Sequence, residues 1–230
     1  MKWLFWKEYR QNRPIVIALL VMLVVPHILG LWVTWAEMHR PRHDANAWIE
    51  ALVIASLYSL GISQIAFALI GGNAIAGERA DRSAEFQGYL PLSRKKILAG
   101  KLLMALAIAA IIWLTNPPIL WSLHHLFHPE IIREGFIILA NIAITGLVFF
   151  SVAWLFSSIL SSPTFATVAG IIAPLLIWSI IIYTAYLIHG DQWRPETGKI
   201  FIISYIVISL IVAPVSFGIG TWLYLRRVEP

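Results

Sequence analysis

The chain has 230 residues, of which 59% are hydrophobic and 13% charged, with a net charge of +5. A water-soluble domain carries roughly a quarter charged residues, so this composition excludes an ordinary soluble globular protein. There is no cysteine, which excludes disulfides and thiolate chemistry, and in so apolar a chain the basic excess reads as a topology signal rather than a nucleic-acid footprint.

The chain opens on a basic, aromatic stretch, residues 1–14. Trp3, Trp6, Tyr9 and Arg10 recur at helical spacing, and Lys2, Lys7 and Arg13 are placed to reach lipid phosphates. That pattern predicts a short helix along the inner membrane interface, with Pro14 in the first turn of the span that follows. The apolar run from Ile15 to Trp35 exceeds the ~7–15 residues of a secretory signal core, and no small-x-small cleavage site follows it, so it is expected to remain as an anchor. His27 follows Pro26 inside this run. With no acidic partner at depth, it is expected to be neutral and to bond a carbonyl freed by the proline.

Six stretches are long enough to cross a bilayer as helices, which takes about 20 apolar residues: 14–36, 48–76, 97–122, 134–158, 164–188 and 199–225. Their continuous apolar character is inconsistent with the alternating segments of a membrane barrel, so the expected fold is all-α. The 56 uncharged residues between Glu134 and Asp191 are too many for one crossing. The run must turn back once, and Ser157 to Pro163 is the natural place, because Ser and Pro break helices and start new ones. Asn116-Pro117-Pro118 should kink or end the third span.

Six crossings leave both termini on one side. That side, with the interval 77–101, holds twelve of the seventeen Lys and Arg residues, which places it in the cytoplasm. Trp32, Trp35, Trp48, Trp121 and Trp193 then fall at the outer boundary and Trp3, Trp6, Trp154 and Trp222 at the inner one, as in an aromatic belt. The expectation is a single membrane-embedded unit over residues 1–230, multi-pass, with the lipid bilayer as its constant partner.

The second span runs past the bilayer: Ala51 to Gly77 is 27 uncharged residues, or ~40 Å of helix. Its inner end must protrude or lie in protein. A charged segment follows, in which Glu78 and Arg82 stand four apart in the favourable order. Ala76, Ala80 and Ala84 form a small-residue stripe, Gly88 and Pro91 are placed to end the helix, and Ser93 is placed to cap the next one.

Gly77-Glu78-Arg79 through Ser83 and Glu85, then Leu90-Pro91-Leu92-Ser93-Arg94 and Gly100-Lys101, resemble the permease subunit of ABC-2 type transporters, bacterial ABC exporters with six spans per subunit. The N-terminal Lys7-Glu8 and Arg13 and the terminal Tyr224-Leu225-Arg226-Arg227 support the likeness, which in layout covers the whole chain. The resemblance implies a coupling helix after the second span that docks on an ABC ATPase subunit, a role carried to Glu78, Arg79, Asp81, Arg82, Glu85 and Phe86. It implies an inner-interface helix bearing Trp3, Trp6, Lys7, Arg10 and Arg13, a second permease subunit (a copy or a sibling), and residence in the bacterial inner membrane.

ATP and Mg would sit on the partner. This chain has no G-x-x-x-x-G-K-[ST] loop: the positions five before its two Gly-Lys pairs are Lys95 and Trp193, where that loop needs glycine. It reads as a transport subunit rather than an enzyme, holding no cofactor or metal and binding no nucleic acid. Gln64, Asn73 and Asn141 are polar side chains at depth that either line a substrate path or stitch spans together. Two other readings stay open. An ion-coupled carrier predicts ionisable groups at the midplane and inverted repeats. An intramembrane metalloenzyme would use His124, His125 and His128, of which His124 and His128 share a helical face. The short 189–198 interval leaves little room for a re-entrant outer helix unless Pro214 or Gly218-Ile219-Gly220 interrupts the sixth span.

Overall fold

The computed structural model describes residues 2–37, 47–81, 93–116, 131–189 and 195–226, and among these it contains only helices. They are α1 (Lys2–Gln11), α2 (Arg13–Glu37), α3 (Ala47–Ser63), α4 (Ile65–Ala80), α5 (Arg94–Thr115), α6 (Ile131–Ile159), α7 (Pro163–His189) and α8 (Pro195–Arg226). Six stretches are long and apolar enough to cross a membrane, α3 and α4 together making the second. The six expected spans are all present, with ends shifted by a few residues. The third starts earlier, at Arg94, and stops at Thr115, before the two prolines. Those prolines, like Trp121, Trp193 and the three outer histidines, lie outside the described residues.

The fold-back between the fourth and fifth spans falls where serine and proline predict it. α6 ends at Ile159 and α7 begins on Pro163, a residue whose missing N–H costs nothing in the first turn. Ser162 supplies the first carbonyl of α7, accepting from the Ala166 N–H at 3.3 Å. The sixth span is continuous: α8 runs through Pro214 and Gly218-Ile219-Gly220 without a break, so these residues do not form a re-entrant helix.

The second span, Ala51–Ala80, is interrupted at a single residue, Gln64, whose own backbone angles stay helical. Between α3 and α4 the chain makes a single turn at Gln64, where Gln64 N–H reaches the Gly61 carbonyl and Phe67 N–H the Gln64 carbonyl, three residues apart rather than four. The tightened turn leaves the Leu60 carbonyl to side chains: Ser63 Oγ donates to it at 2.9 Å and Gln64 Nε2 at 2.8 Å. Polar side chains at a membrane-depth break satisfy the backbone that the break exposes.

α6 is the centre of the bundle, packed against α4, α7 and α8, while α2 lies along α3 and α5 sits between α1 and α4. Within a bilayer, helices are held by close packing rather than by exclusion of water, so small residues mark the contacts. The Ala153 methyl of α6 is fully buried between two glycines. A Cβ on Gly170 of α7 would lie 2.6 Å from it, and one on Gly71 of α4 would lie 3.1 Å from it. Trp154, expected in the inner aromatic belt, is instead 0% exposed. Its ring packs on Phe150 and Phe217, with centroids 5.7 Å away in each case, between α6 and α8. A tryptophan's place in the sequence gives its depth but not its helical face, and this one points inward. Trp3, Trp6, Trp32, Trp35 and Trp222 are exposed as a belt requires.

His27 is held between the first two spans. Its Nδ1–H donates to the Leu23 carbonyl at 2.9 Å, and Nε2 lies 3.2 Å from Ser56 Oγ. Ser59 Oγ donates to the same carbonyl. The acceptor is thus one residue beyond Met22, whose carbonyl Pro26 deprives of its helical donor. The histidine stitches α2 to α3.

Candidate functional site

Two ends of the sequence and the 77–101 interval meet at one face of the bundle. α1 packs on α5, α4 ends there, and Arg94 at the start of α5 donates to the Tyr224 and Leu225 carbonyls at the end of α8, at 3.4 and 3.5 Å. The described chain leaves this face at Asp81 and returns at Ser93. Ser93 occupies the N-cap of α5 with extended backbone, but its side chain makes no capping bond. Its carbonyl accepts the Lys96 and Ile97 N–H groups instead.

Beneath this face lies a buried cluster of four charges. Glu8 of α1 is 2% exposed, Glu78 of α4 3%, and Lys101 of α5 3%. Lys101 Nζ lies 2.7 Å from Glu78 Oε1 and 3.5 Å from Glu8 Oε1, and it donates to the Ala74 carbonyl. An ammonium has three N–H groups, and here all three have acceptors. Lys7 Nζ closes the cluster at 2.5 Å from Glu78 Oε1 and 3.6 Å from Glu8 Oε1. Among the described residues, two carboxylates and two ammoniums make the set neutral, which is the condition for keeping charge in a low-dielectric interior.

A carboxamide ladder extends the cluster to the joint between α1 and α2. Asn12, buried at that joint, donates through Nδ2 to the Glu8 carbonyl at 2.8 Å, and its Oδ1 accepts from Asn73 Nδ2 at 2.9 Å. Gly77 makes room for this: a Cβ there would lie 2.2 Å from Asn73 Oδ1. Asn73 therefore ties α4 to the N-terminal helix.

The neighbour of Glu78 grips the other side. Arg79 donates through Nη2 to the Ser157 carbonyl at 2.6 Å and through Nη1 to the Ile159 carbonyl at 3.4 Å. These are last-turn carbonyls of α6, which have no helical donors and sit at the negative end of the helix dipole. Ser157 Oγ in turn accepts the Ile75 and Ala76 N–H groups of α4, at 2.9 and 2.8 Å. Successive residues of a helix point about 100° apart. Glu78 thus locks α4 to α1 and α5 while Arg79 locks it to α6. Arg79→Ala is expected to cost about 1–2 kcal/mol and to speed amide hydrogen exchange over residues 155–160. Arg79→Lys should fall between, since it keeps the charge but not the two-pronged reach.

The sequence-derived site residues divide as follows. Trp3, Trp6, Arg10 and Arg13 are exposed on the outside of α1 and its junction, whereas Leu4 and Glu8 face in. Lys7, expected to reach lipid phosphates, turns to Glu78 instead. Glu78, counted with the residues facing an ATPase, holds its carboxylate inside the subunit. Asp81 is exposed, and Arg82, Glu85 and Phe86 lie outside the described residues. Glu8 and Lys101, not singled out as site residues, complete the cluster. The available signal was that Lys101 lies seven residues inside a span-forming helix, where a lone charge calls for a partner.

Six spans with a charge-locked face define a polytopic membrane protein whose helices are tied together at one end. A family model described as ABC-2 family transporter protein matches residues 40–194, about two thirds of the chain, and the chain belongs to that family: it is a permease-type membrane subunit of a transporter. Comparison with curated proteins gave no match, and comparison with solved structures gave none either.

Proposed function

We propose that this chain is the permease subunit of an ABC exporter. Two such subunits, identical or siblings, would form the path in a bacterial inner membrane with both termini cytoplasmic. A separate ATPase carrying ATP and Mg would supply the work, and the cargo would be hydrophobic or amphipathic. The observation that carries this reading is the double grip on α4 at Glu78 and Arg79. A push on the segment that begins at Asp81 passes directly into α4 and, through the two grips, into α1, α5 and α6. Rigid helices linked by polar locks move as a unit, which is what a motor stroke requires. Arg94 extends the same linkage to α8.

Docking on the ATPase falls to Asp81, Arg82, Glu85 and Phe86, with Glu78 and Arg79 as anchors behind them. A carrier driven by ions would place buried carboxylates at the midplane. Among the described residues, Glu8 and Glu78 sit together at one end of the bundle and are neutralised there. The test is co-purification from a membrane containing the chain and its ATPase. Joint charge reversal of Asp81, Arg82 and Glu85 is expected to lose the ATPase while leaving a folded permease. Retention of the ATPase at the parental ratio would remove the docking assignment.

A further inference from the structure

We infer that the groove between the α3–α4 break, α6 and α7 binds an uncharged amphiphile bearing a hydroxyl or amide group and a flat apolar body. Gln64 is 1% exposed. Its Nε2 is committed to the Leu60 carbonyl, which fixes Oε1 as the remaining acceptor, and that atom is buried with no hydrogen-bond partner. It lies against Gly146, where a Cβ would come within 2.1 Å. Leaving such an acceptor unpaired costs free energy that a donor on a ligand restores.

The groove beside it has a volume of about 270 Å³, and Ile138, Asn141, Ile142 and Thr145 line it from α6. Their spacing puts all four on one helical face. Asn141 is half-buried, and its carboxamide has no partner among the described residues. It offers a donor and an acceptor. Trp178 forms the far wall and is set in place: its ring stacks on Tyr205 at 4.6 Å, and the Tyr205 hydroxyl shares a 2.8 Å hydrogen bond with Thr145. A fixed indole face suits a flat apolar group.

Depth and charge select the class. Gln64 is ten residues from Ala74, whose carbonyl holds Lys101, so it lies ~15 Å along the helix from the charge cluster. That is half of a ~30 Å hydrocarbon core. None of the described lining residues is charged, so a charged ligand would meet no counter-ion among them. Ile138 is exposed, which leaves the groove open at the surface of the helix bundle. That the bound molecule is cargo rests on the transport reading above; the binding itself does not.

The test needs neither ATPase nor nucleotide. The full chain in lipid nanodiscs is irradiated with 4-hydroxybenzophenone or with benzophenone, and the labelled peptides are mapped. The hydroxyl probe is expected to label residues 138–145 and Trp178 about five-fold more than benzophenone, the worth of one hydrogen bond. Asn141→Leu, which removes no hydrogen bond made by the side chain, should abolish that preference, as should Gln64→Leu. Equal labelling by the two probes, or a preference that survives Asn141→Leu, would overturn the site. Loss of ATPase co-purification leaves this result untouched, and the reverse holds as well.

Discussion

Lys101→Met is expected to destabilise the protein by about 3–5 kcal/mol, because it leaves Glu8 and Glu78 buried with one ammonium between them. Glu78→Gln should do comparable damage with the opposite sign of leftover charge. The combination of the two leaves Lys7 and Glu8, 3.6 Å apart, and a neutral site. The double variant should therefore be about 1–3 kcal/mol more stable than the sum of the single losses predicts. Lys7→Met should cost roughly half as much as Lys101→Met or less. Its side chain is 22% exposed against 1% for Lys101, and water can serve the remaining charge. Equilibrium unfolding in mixed micelles measures all four. Strict additivity would show that the charges do not act as a set.

Gly170→Ala is expected to cost about 1–3 kcal/mol by overpacking, a large effect for one methyl group. The new Cβ would lie 2.6 Å from the Ala153 Cβ and 2.9 Å from the Phe149 carbonyl oxygen, and no rotamer relieves a clash made by Cβ itself. Relief requires α6 and α7 to separate locally, and Ala153 has little room to yield, because Gly71 of α4 lies close on its other side. Adding Ala153→Gly removes the nearest obstacle and should restore part of the loss, while Phe149 keeps the rescue incomplete. Thermal unfolding of the two single variants and the pair gives the comparison. Full tolerance of Gly170→Ala would mean that α6 and α7 are not in close contact.

The spans were legible because their evidence is local: long uncharged runs, and a serine-proline turn at residues 157–163 that the chain uses as composition suggests. The break at Gln64 was not, since no proline or glycine pair marks it and the apolar run passes through it unchanged. What makes the break possible is the supply of side-chain donors to the Leu60 carbonyl, visible only when the turn is formed. Glu78 illustrates a second limit. Its charge and position beside Arg79 identify an important segment, but which face of α4 meets protein depends on Lys101 and on Glu8, 70 residues earlier in the chain. The resemblance to ABC-2 permeases groups Glu78 and Arg79 with Asp81, Arg82, Glu85 and Phe86; the structure turns the first two to partners inside the subunit, and docking by the others is our proposal.

The division gives the segment after Asp81 its significance. Behind it, Glu78, Arg79 and Arg94 tie α4 and α5 to α1, α6 and α8, so displacement of the segment cannot be absorbed by one helix alone. All of this has a transport meaning only if that face looks into the cytosol. Because the chain has no cysteine, Asp81→Cys, at an exposed position, gives a single reactive thiol. A membrane-impermeant maleimide is predicted to label it in inside-out vesicles, not in intact cells, and to do so less when the ATPase subunit is bound. Labelling from outside intact cells would contradict the orientation and, with it, the relay from motor to membrane.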